Sequence, residues 1–418
     1  MSAFSREGRA PRLILLAANR SYRASAFLEA AARLGAEVVF GQDVPPPLLG
    51  QSDAALALDY RDLVSSTEAI QRYAKAHPVD ALVGLDDSGT VLAARASAAL
   101  GLPHNSPGAA EASRSKRLMR EHFAEAGVPS PRFRVFCAGE DPWRIAAEVA
   151  FPCVLKPTML SGSRGVMRAD DPGELAERWA RLCRILAAER CDEALVEDYV
   201  PGAEVALEGL LERGRLRVLA LFDKPDPLEG PFFEETLYVT PSRLPGPVQD
   251  ALAGAAEWAA ASLGLREGPV HAELRWNERR PWLIEVAART IGGLCSRTLR
   301  FGAGLSLEDV VLRHALGLPV QASRETKAGG VMMIPIPRAG MLRAVSGVEE
   351  ARGVPLVEGV EITARPNHPL VPLPEGDSYL GFIFARADTP EDVEAALRAA
   401  HSRLRFEVAA EIALEVRT

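Results

Sequence analysis

VHAELRWNERRPWLIEVAAR, Val270 to Arg289, reads as a β-hairpin. Val270–Trp276 and Pro281–Arg289 have strand composition, and Asn277 to Pro281 makes the turn. With the turn centred near Arg279, Glu273 falls directly opposite Glu285. Cross-strand side chains sit roughly 4.5–5.5 Å apart, and like charges at that spacing are destabilising. The pairing therefore predicts a divalent cation between the two carboxylates. Ligands that are all oxygen select a hard ion such as Mg²⁺. Strand alternation places Leu283, Glu285, Ala287 and Arg289 on one face. Two carboxylates and a guanidinium on one surface suit a metal-bound phosphoryl group.

Three segments before the hairpin carry further chemistry. KPTMLSGSRGV, Lys156 to Val166, puts a lysine at a strand end and a loop rich in Ser161, Gly162, Ser163 and Gly165 behind it. Backbone N–H groups of such a loop wrap phosphate oxygens, and the lysine adds a fixed cation. No G-K-[ST] opens a helix, so this is not a Walker A loop. Alone, a Gly/Ser hairpin is more often a plain turn; with the strand-end lysine the two readings stand level. LVEDYVPGAEVALEG, Leu195 to Gly209, ends a strand at Glu197-Asp198-Tyr199-Val200 and adds Glu204 after a Pro-Gly turn. Such a segment offers backbone bonds to an adenine edge and a carboxylate to ribose; isolated, it is a surface turn. Lys116, in SRSKRLMREHFAEAG, is by itself one more helical lysine.

The order of these pieces resembles the ATP-grasp superfamily over about Ser113 to Leu316. The resemblance implies mixed α/β and α+β architecture: an N-terminal parallel α/β domain (1–112), an ATP-grasp domain (113–325, with a lid at about 150–205) and a C-terminal α+β domain (326–418). It also implies ATP and Mg²⁺ as cofactors. Lys116 and Lys156 would touch the phosphates, under the loop Ser161–Gly165. Glu197 and the Tyr199–Val200 backbone would meet adenine, and Glu204 the ribose. Glu273 and Glu285 would hold Mg²⁺, and Arg289 would stabilise the transferring phosphoryl group. One departure stands out: the family usually reads E-x-N at the second glutamate, and here Ala287 replaces the asparagine. A metal oxygen must then come from water or substrate, or one ion binds less tightly.

FDKPDPLEGPFFEETLYVTPSRLP (Phe222 to Pro245), GGVMMIPIPRAGML (Gly329 to Leu342) and PLPEGDSYLGFIFARADTPEDVEAAL (Pro372 to Leu397) look like the L-amino acid ligases that make dipeptides. That resemblance implies an ATP-dependent carbon–nitrogen ligase working through an acyl phosphate. Glu235 and Tyr238 would bind an amino acid substrate, a carboxylate being a sound partner for an α-ammonium. Glu234 and Glu235 also read as a solvated loop. Gly293 stands where some dipeptide ligases carry a tryptophan, which implies a roomier acceptor pocket. Other ATP-grasp ligases of the purine-pathway or carboxylase type, and a nucleotide-binding sensor without turnover, are the alternatives; Ala287 favours the last.

The remaining sequence bounds the class. A length of 418 residues suits two to four domains. Hydrophobic residues make up 48% and charged residues 25%, enough for a sizeable core. A net charge of −8 without a dense basic run argues against nucleic acid or an anionic membrane as partner. The five scattered cysteines form no C-x-x-C, so a reducing cytoplasm is expected. Cys295, after Gly292-Gly293, is read as a small half-buried residue ahead of a reactive thiol. His271 shares the glutamate face and serves either a substrate or a structural hydrogen bond. RLILLAAN at Arg12–Asn19, a helix at Tyr22–Leu34 and strands at Ala36–Phe40 and Asp80–Leu85 alternate as βαβ, which implies a parallel sheet. Asn19-Arg20-Ser21 and Asp86-Asp87-Ser88 end strands there, a weak pointer to a substrate pocket. MSAFSREGRAPR has no signal-like apolar core, and its first ten or so residues are expected to be disordered. A homodimer is the default expectation.

Overall fold

In RLILLA at Arg12–Ala17 every residue after Arg12 is apolar and buried, because the strand lies inside a parallel sheet covered on both faces. The computed structural model describes residues 9–18, 21, 23–44, 54–277, 279–302 and 304–410. In the first sheet the strand order is Ala55–Leu58, Glu37–Asp43, Arg12–Ala17, Ala81–Gly84, all parallel. Phe27, Ala30 and Ala31 of helix Ala24–Leu34 cover one face together with Val311 and Leu312 from helix Leu307–Ala315. Ile70 and Leu92, from helices Leu63–Ala76 and Asp87–Leu100, cover the other. The strand end Asn19-Arg20 and the expected disordered start up to Glu7-Gly8 lie outside the described residues; the second strand-end group, Asp86-Asp87-Ser88, lies at the head of a helix.

The helical segment that holds Lys116 is split from the helix before it: Pro107–Arg114 and Lys116–Ala126 are separate helices. Ser115 is extended, and its hydroxyl accepts from Leu118 N–H, so it caps the second helix and interrupts the first. The Lys116 N–H donates to the Thr158 carbonyl at 2.9 Å, which pins this helix start beside the glycine loop.

An antiparallel lid sheet follows, in the order Phe133–Cys137, Glu193–Asp198, Cys153–Pro157, Met167–Ala169. Helix Pro172–Glu189 packs Leu175, Trp179 and Leu182 onto it. The lid thus begins earlier than the expected residue 150, because Phe133–Cys137 pairs with its strand Glu193–Asp198.

The central sheet runs Pro281–Ala287, Gly268–Trp276, Ala203–Glu212, Arg215–Asp223, Leu237–Thr240, Ala328–Ile334, Gly381–Ala387, Val357–Ile362. Tyr238 pairs with Val331, so the sheet continues across the expected domain boundary at residue 325 without a break. Helices Lys116–Ala126 and Gly246–Ser262 bury Phe123, Leu252 and Ala256 against one face of it. At roughly 1.5–3 kcal/mol per fully buried large apolar side chain, this core fixes the sheet that carries the glutamates. A small sheet of Pro369–Leu370, Gly340–Ser346 and Arg405–Ala409 closes the C-terminal region; the strand composition of Glu407–Val416 is met in part by Arg405–Ala409, and residues from 411 lie outside the described residues. No helix among the described residues is long and apolar enough to cross a membrane.

Candidate active site

The hairpin pairs Glu273 with Glu285, and also His271 with Ala287. The register then slips: Leu274 pairs with Leu283, leaving Ile284 as a bulge. This corrects the expected shared face. Leu283 is fully buried in the helix-covered core, while Ile284 and Glu285 both line the cavity on the other side. Period-two alternation cannot register the extra residue, so Leu283 leaves the expected face, while Glu285 and Arg289 line the cavity.

That cavity, about 300 Å³, is walled by all parts of the chain. Every residue anticipated for the site lines it except Gly165. Gly165 has φ +74°, and a Cβ there would lie 2.8 Å from Pro157 Cγ, so no other residue fits. Its N–H points away from the cavity and donates to the Pro374 carbonyl at 2.8 Å. Ser161, Gly162 and Ser163 remain as the cavity-facing part of the loop.

At one end the charges are cationic. Lys156 Nζ lies 2.7 Å from Glu197 Oε2, and Arg120 Nε 2.8 Å from Glu197 Oε1. Burial opposes ionisation of Glu197, but Arg120 and Lys156 outweigh it and hold the carboxyl below its usual range. Burial lowers the Lys156 ammonium despite Glu197. Glu197, expected at adenine, lines the cavity with both oxygens held by cations, and it anchors Lys156. The Tyr199 N–H donates to Pro152 O at 3.0 Å and Val200 O accepts from Arg275 at 2.6 Å, which narrows the backbone groups left for a base edge. Lys116 Nζ donates to Leu160 O at 2.7 Å and sits 3.2 Å from Glu285 Oε2.

At the other end the charges are acidic. Lys224 Nζ is buried among Glu204 Oε1 at 2.7 Å, Glu235 Oε1 in a short contact, and Glu273 Oε1 at 3.6 Å. Burial works against the Lys224 charge, yet the three carboxylates raise its pKa well above the ordinary value. Burial and the neighbouring Glu273 raise Glu235 in spite of Lys224. Glu273 is held well below the usual range, its burial outweighed by Lys224 and His271. Glu204 was expected at ribose, but its second oxygen accepts from Arg275 Nε at 2.8 Å, so both are engaged. Glu204, Glu235 and Glu273 bring ligand oxygens within 4.8 Å of one another, a grouping that Lys224 and Arg275 neutralise in part. Glu235 lies in the cavity wall, not in a solvated loop.

For a divalent ion the fitting pair is Glu273 and Glu285. Their side chains are 22% and 26% exposed toward the cavity, and their opposing positions place two hard oxygen donors together. Ala287 is buried and offers no ligand. His271, opposite it, is held by the fully buried Glu208, with Nδ1 2.5 Å from Oε1, and its Nε2 is 3.5 Å from Glu273. Burial disfavours the imidazolium, but Glu208 and Glu273 raise its pKa to about 9. His271 therefore both lines the cavity and has a structural partner.

Arg289 is locked by Asp87, Nε to Oδ1 at 2.8 Å, so the N-terminal helix head reaches the site. Gly293 has φ +58°, and a Cβ there would sit 3.0 Å from Phe382. The room expected at Gly293 is thus partly filled by that ring. Cys295 is buried and 3.7 Å from Met333 Sδ; burial pushes its thiol up, away from a reactive thiolate. Arg120, Lys224, Arg275 and Asp87 went unassigned in the sequence. Asp87 alone had a signal, at a strand end; Lys224 stands in the quoted FDKPDP but has no motif of its own.

An ATP-grasp domain model matches residues 149–298, an ATP-grasp N-terminal domain 28–104, and an L-amino acid ligase C-terminal domain 2 residues 332–409. The chain is 28% identical over 305 residues to the uncharacterized protein y4rH of Sinorhizobium fredii, covering 72% of this chain and 62% of that one. It is 28% identical over 265 residues to alanine--anticapsin ligase of Bacillus subtilis, covering 59% and 56%. The chain thus spans about six-tenths of the length of these curated relatives. A crystal structure of L-amino acid ligase from Bacillus licheniformis superposes with a TM-score of 0.80 at 26% identity, covering 96% of this chain and 99% of the other.

Proposed function

The chain belongs to the ATP-grasp superfamily, and we propose that it is an ATP-dependent carboxylate–amine ligase that joins two L-amino acids through an acyl phosphate. The observation that carries this reading is a single cavity with a cationic end and an acidic end, bridged by the paired glutamates of one hairpin. A carboxylate resists attack by an amine because its leaving group would be oxide. Phosphorylation turns that oxygen into a phosphate leaving group. The protein's part is positioning and charge neutralisation.

In this reading Lys116 and Lys156 hold the phosphates, with Ser161, Gly162 and Ser163 above them. Glu197 and Arg120 keep Lys156 fixed. The Tyr199–Val200 segment meets the base, and Glu204 lies beside the ribose. Glu273 and Glu285 would hold Mg²⁺, which supplies Lewis-acid neutralisation of phosphate charge when bound. Arg289, oriented by Asp87, faces the transferring phosphoryl group and the substrate carboxylate. Glu235, with Tyr238 behind it, receives the ammonium of an amino acid. The substrate end near Gly293 is bounded by Phe382.

The C-terminal domain match favours amino acids over a ribonucleotide or bicarbonate as substrates. The test is phosphate release with Mg-ATP, screened over pairs of amino acids, with the peptide identified by mass. Release that needs two amino acids and yields their peptide supports the reading. ATP binding with no amino-acid-stimulated ADP formation contradicts it and favours a sensor.

A further inference from the structure

The glycine loop is gripped from outside by the C-terminal region. Gly165 N–H donates to Pro374 O, and Arg164 Nε to Glu375 O, each at 2.8 Å. The Glu375 carboxylate takes both faces of a guanidinium fork from Arg181 on the lid helix, Nε at 2.6 Å and Nη2 at 2.8 Å. Arg164 is also paired with Glu189 at the end of that helix, at 2.7 Å. The same C-terminal segment continues to Asp377 and Tyr379, which line the cavity. One short stretch, Pro372 to Tyr379, therefore forms part of the inner wall and holds the loop's outer side.

We infer that Glu375 is a positioning residue that latches the loop Ser161–Gly165 in its closed place. A bidentate arginine–carboxylate pair has fixed geometry, which suits it to set a register between two moving parts. Its side chains are 34% and 41% exposed, so solvent screens the pair. It biases an opening equilibrium without preventing it. What closure protects rests on the ligase reading. With the loop open, water adds to the acyl carbon, the bond from that carbon to the phosphate oxygen breaks, and free amino acid and phosphate leave without a peptide. A weakened latch therefore shows as phosphate released in excess of peptide, with nucleotide affinity little changed.

The test is amide hydrogen exchange across residues 161–166 of the full chain, without nucleotide, in wild type, Glu375→Ala, and the charge-reversed pair Arg181→Glu with Glu375→Arg. Glu375→Ala is expected to speed exchange at the Gly165 amide by about tenfold, and the reversed pair to restore it. In turnover, the ratio of phosphate to peptide should rise in Glu375→Ala and return in the reversed pair. Unchanged exchange in Glu375→Ala, or no recovery in the reversed pair, overturns the latch. If exchange responds as expected while wild type shows no amino-acid-dependent phosphate release, the ligase reading fails and the latch stands.

Discussion

The two ends of the cavity hold their buried charges in opposite ways. At the lid end Lys116, Lys156 and Arg120 surround Glu197 and Glu285, so cations outnumber acids. At the far end Glu204, Glu235 and Glu273 surround Lys224, with Arg275 at the rim, so acids outnumber cations. Buried unlike charges stabilise only when each has a partner, and the surplus at each end stays available for a ligand of opposite sign. On the proposed reading the lid end takes phosphate, and the far end a metal ion and an ammonium. Glu273 belongs to the acidic cluster and Glu285 to the cationic one, and the hairpin joins them.

Four changes probe this contrast. Glu285→Gln removes the carboxylate charge between the ends; it should lower ADP formation by roughly a thousandfold or more while leaving thermal unfolding close to wild type. Wild-type turnover in that variant would remove Glu285 from the metal pair. Arg289→Ala, made with Asp87→Asn so that no buried carboxylate is stranded, should cut peptide formation by about 10²–10³ with ATP affinity retained. Titration calorimetry alongside a product assay separates the two. Lys224→Met takes the cation from Glu235 and one partner each from Glu204 and Glu273, and should cost about 3–5 kcal/mol of stability by denaturant unfolding. Lys156→Met leaves Glu197 with Arg120 and should cost less, about 1–3 kcal/mol. Equal losses would break the asymmetry between the ends.

The smallest effect concerns pH. His271 has a folded pKa of about 9 against an ordinary 6.5. A value raised on folding stabilises fully below the unfolded value and loses that contribution as pH climbs through the folded one. Stability should therefore fall between about pH 6.5 and 9, and His271→Asn should flatten that slope. An identical slope in the variant would show that another group carries it.

Much of this site was legible because its motifs are local. A strand-end lysine before a Gly/Ser loop, and two glutamates equidistant from a turn, are patterns that each fit within twenty residues. The bulge at Ile284 was not legible, since alternation carries no sign of an inserted residue. Nor were the charge partners. Arg120 meets Glu197 across 77 positions, Arg275 meets Glu204 across 71, and Arg289 meets Asp87 across 202. These contacts exist only once the lid, central sheet and N-terminal helix are assembled. They anchor the carboxylates of Glu197 and Glu204, which no local pattern announces. In the fold, the N-terminal parallel sheet followed from its apolar strands, whereas Phe133–Cys137 gave no pattern strong enough to extend the lid.

The central claim is that one substrate's carboxylate is phosphorylated in this cavity before the amine arrives. The direct measurement uses a substrate amino acid whose carboxylate oxygens are isotopically heavy, with Mg-ATP and the second amino acid found in the screen. Carboxylate attack on the terminal phosphorus, followed by displacement at the acyl carbon, leaves one heavy oxygen in the peptide carbonyl and moves the other into the released phosphate. Phosphate carrying one heavy oxygen per peptide formed is the predicted result. Peptide formed with unlabelled phosphate would contradict the account.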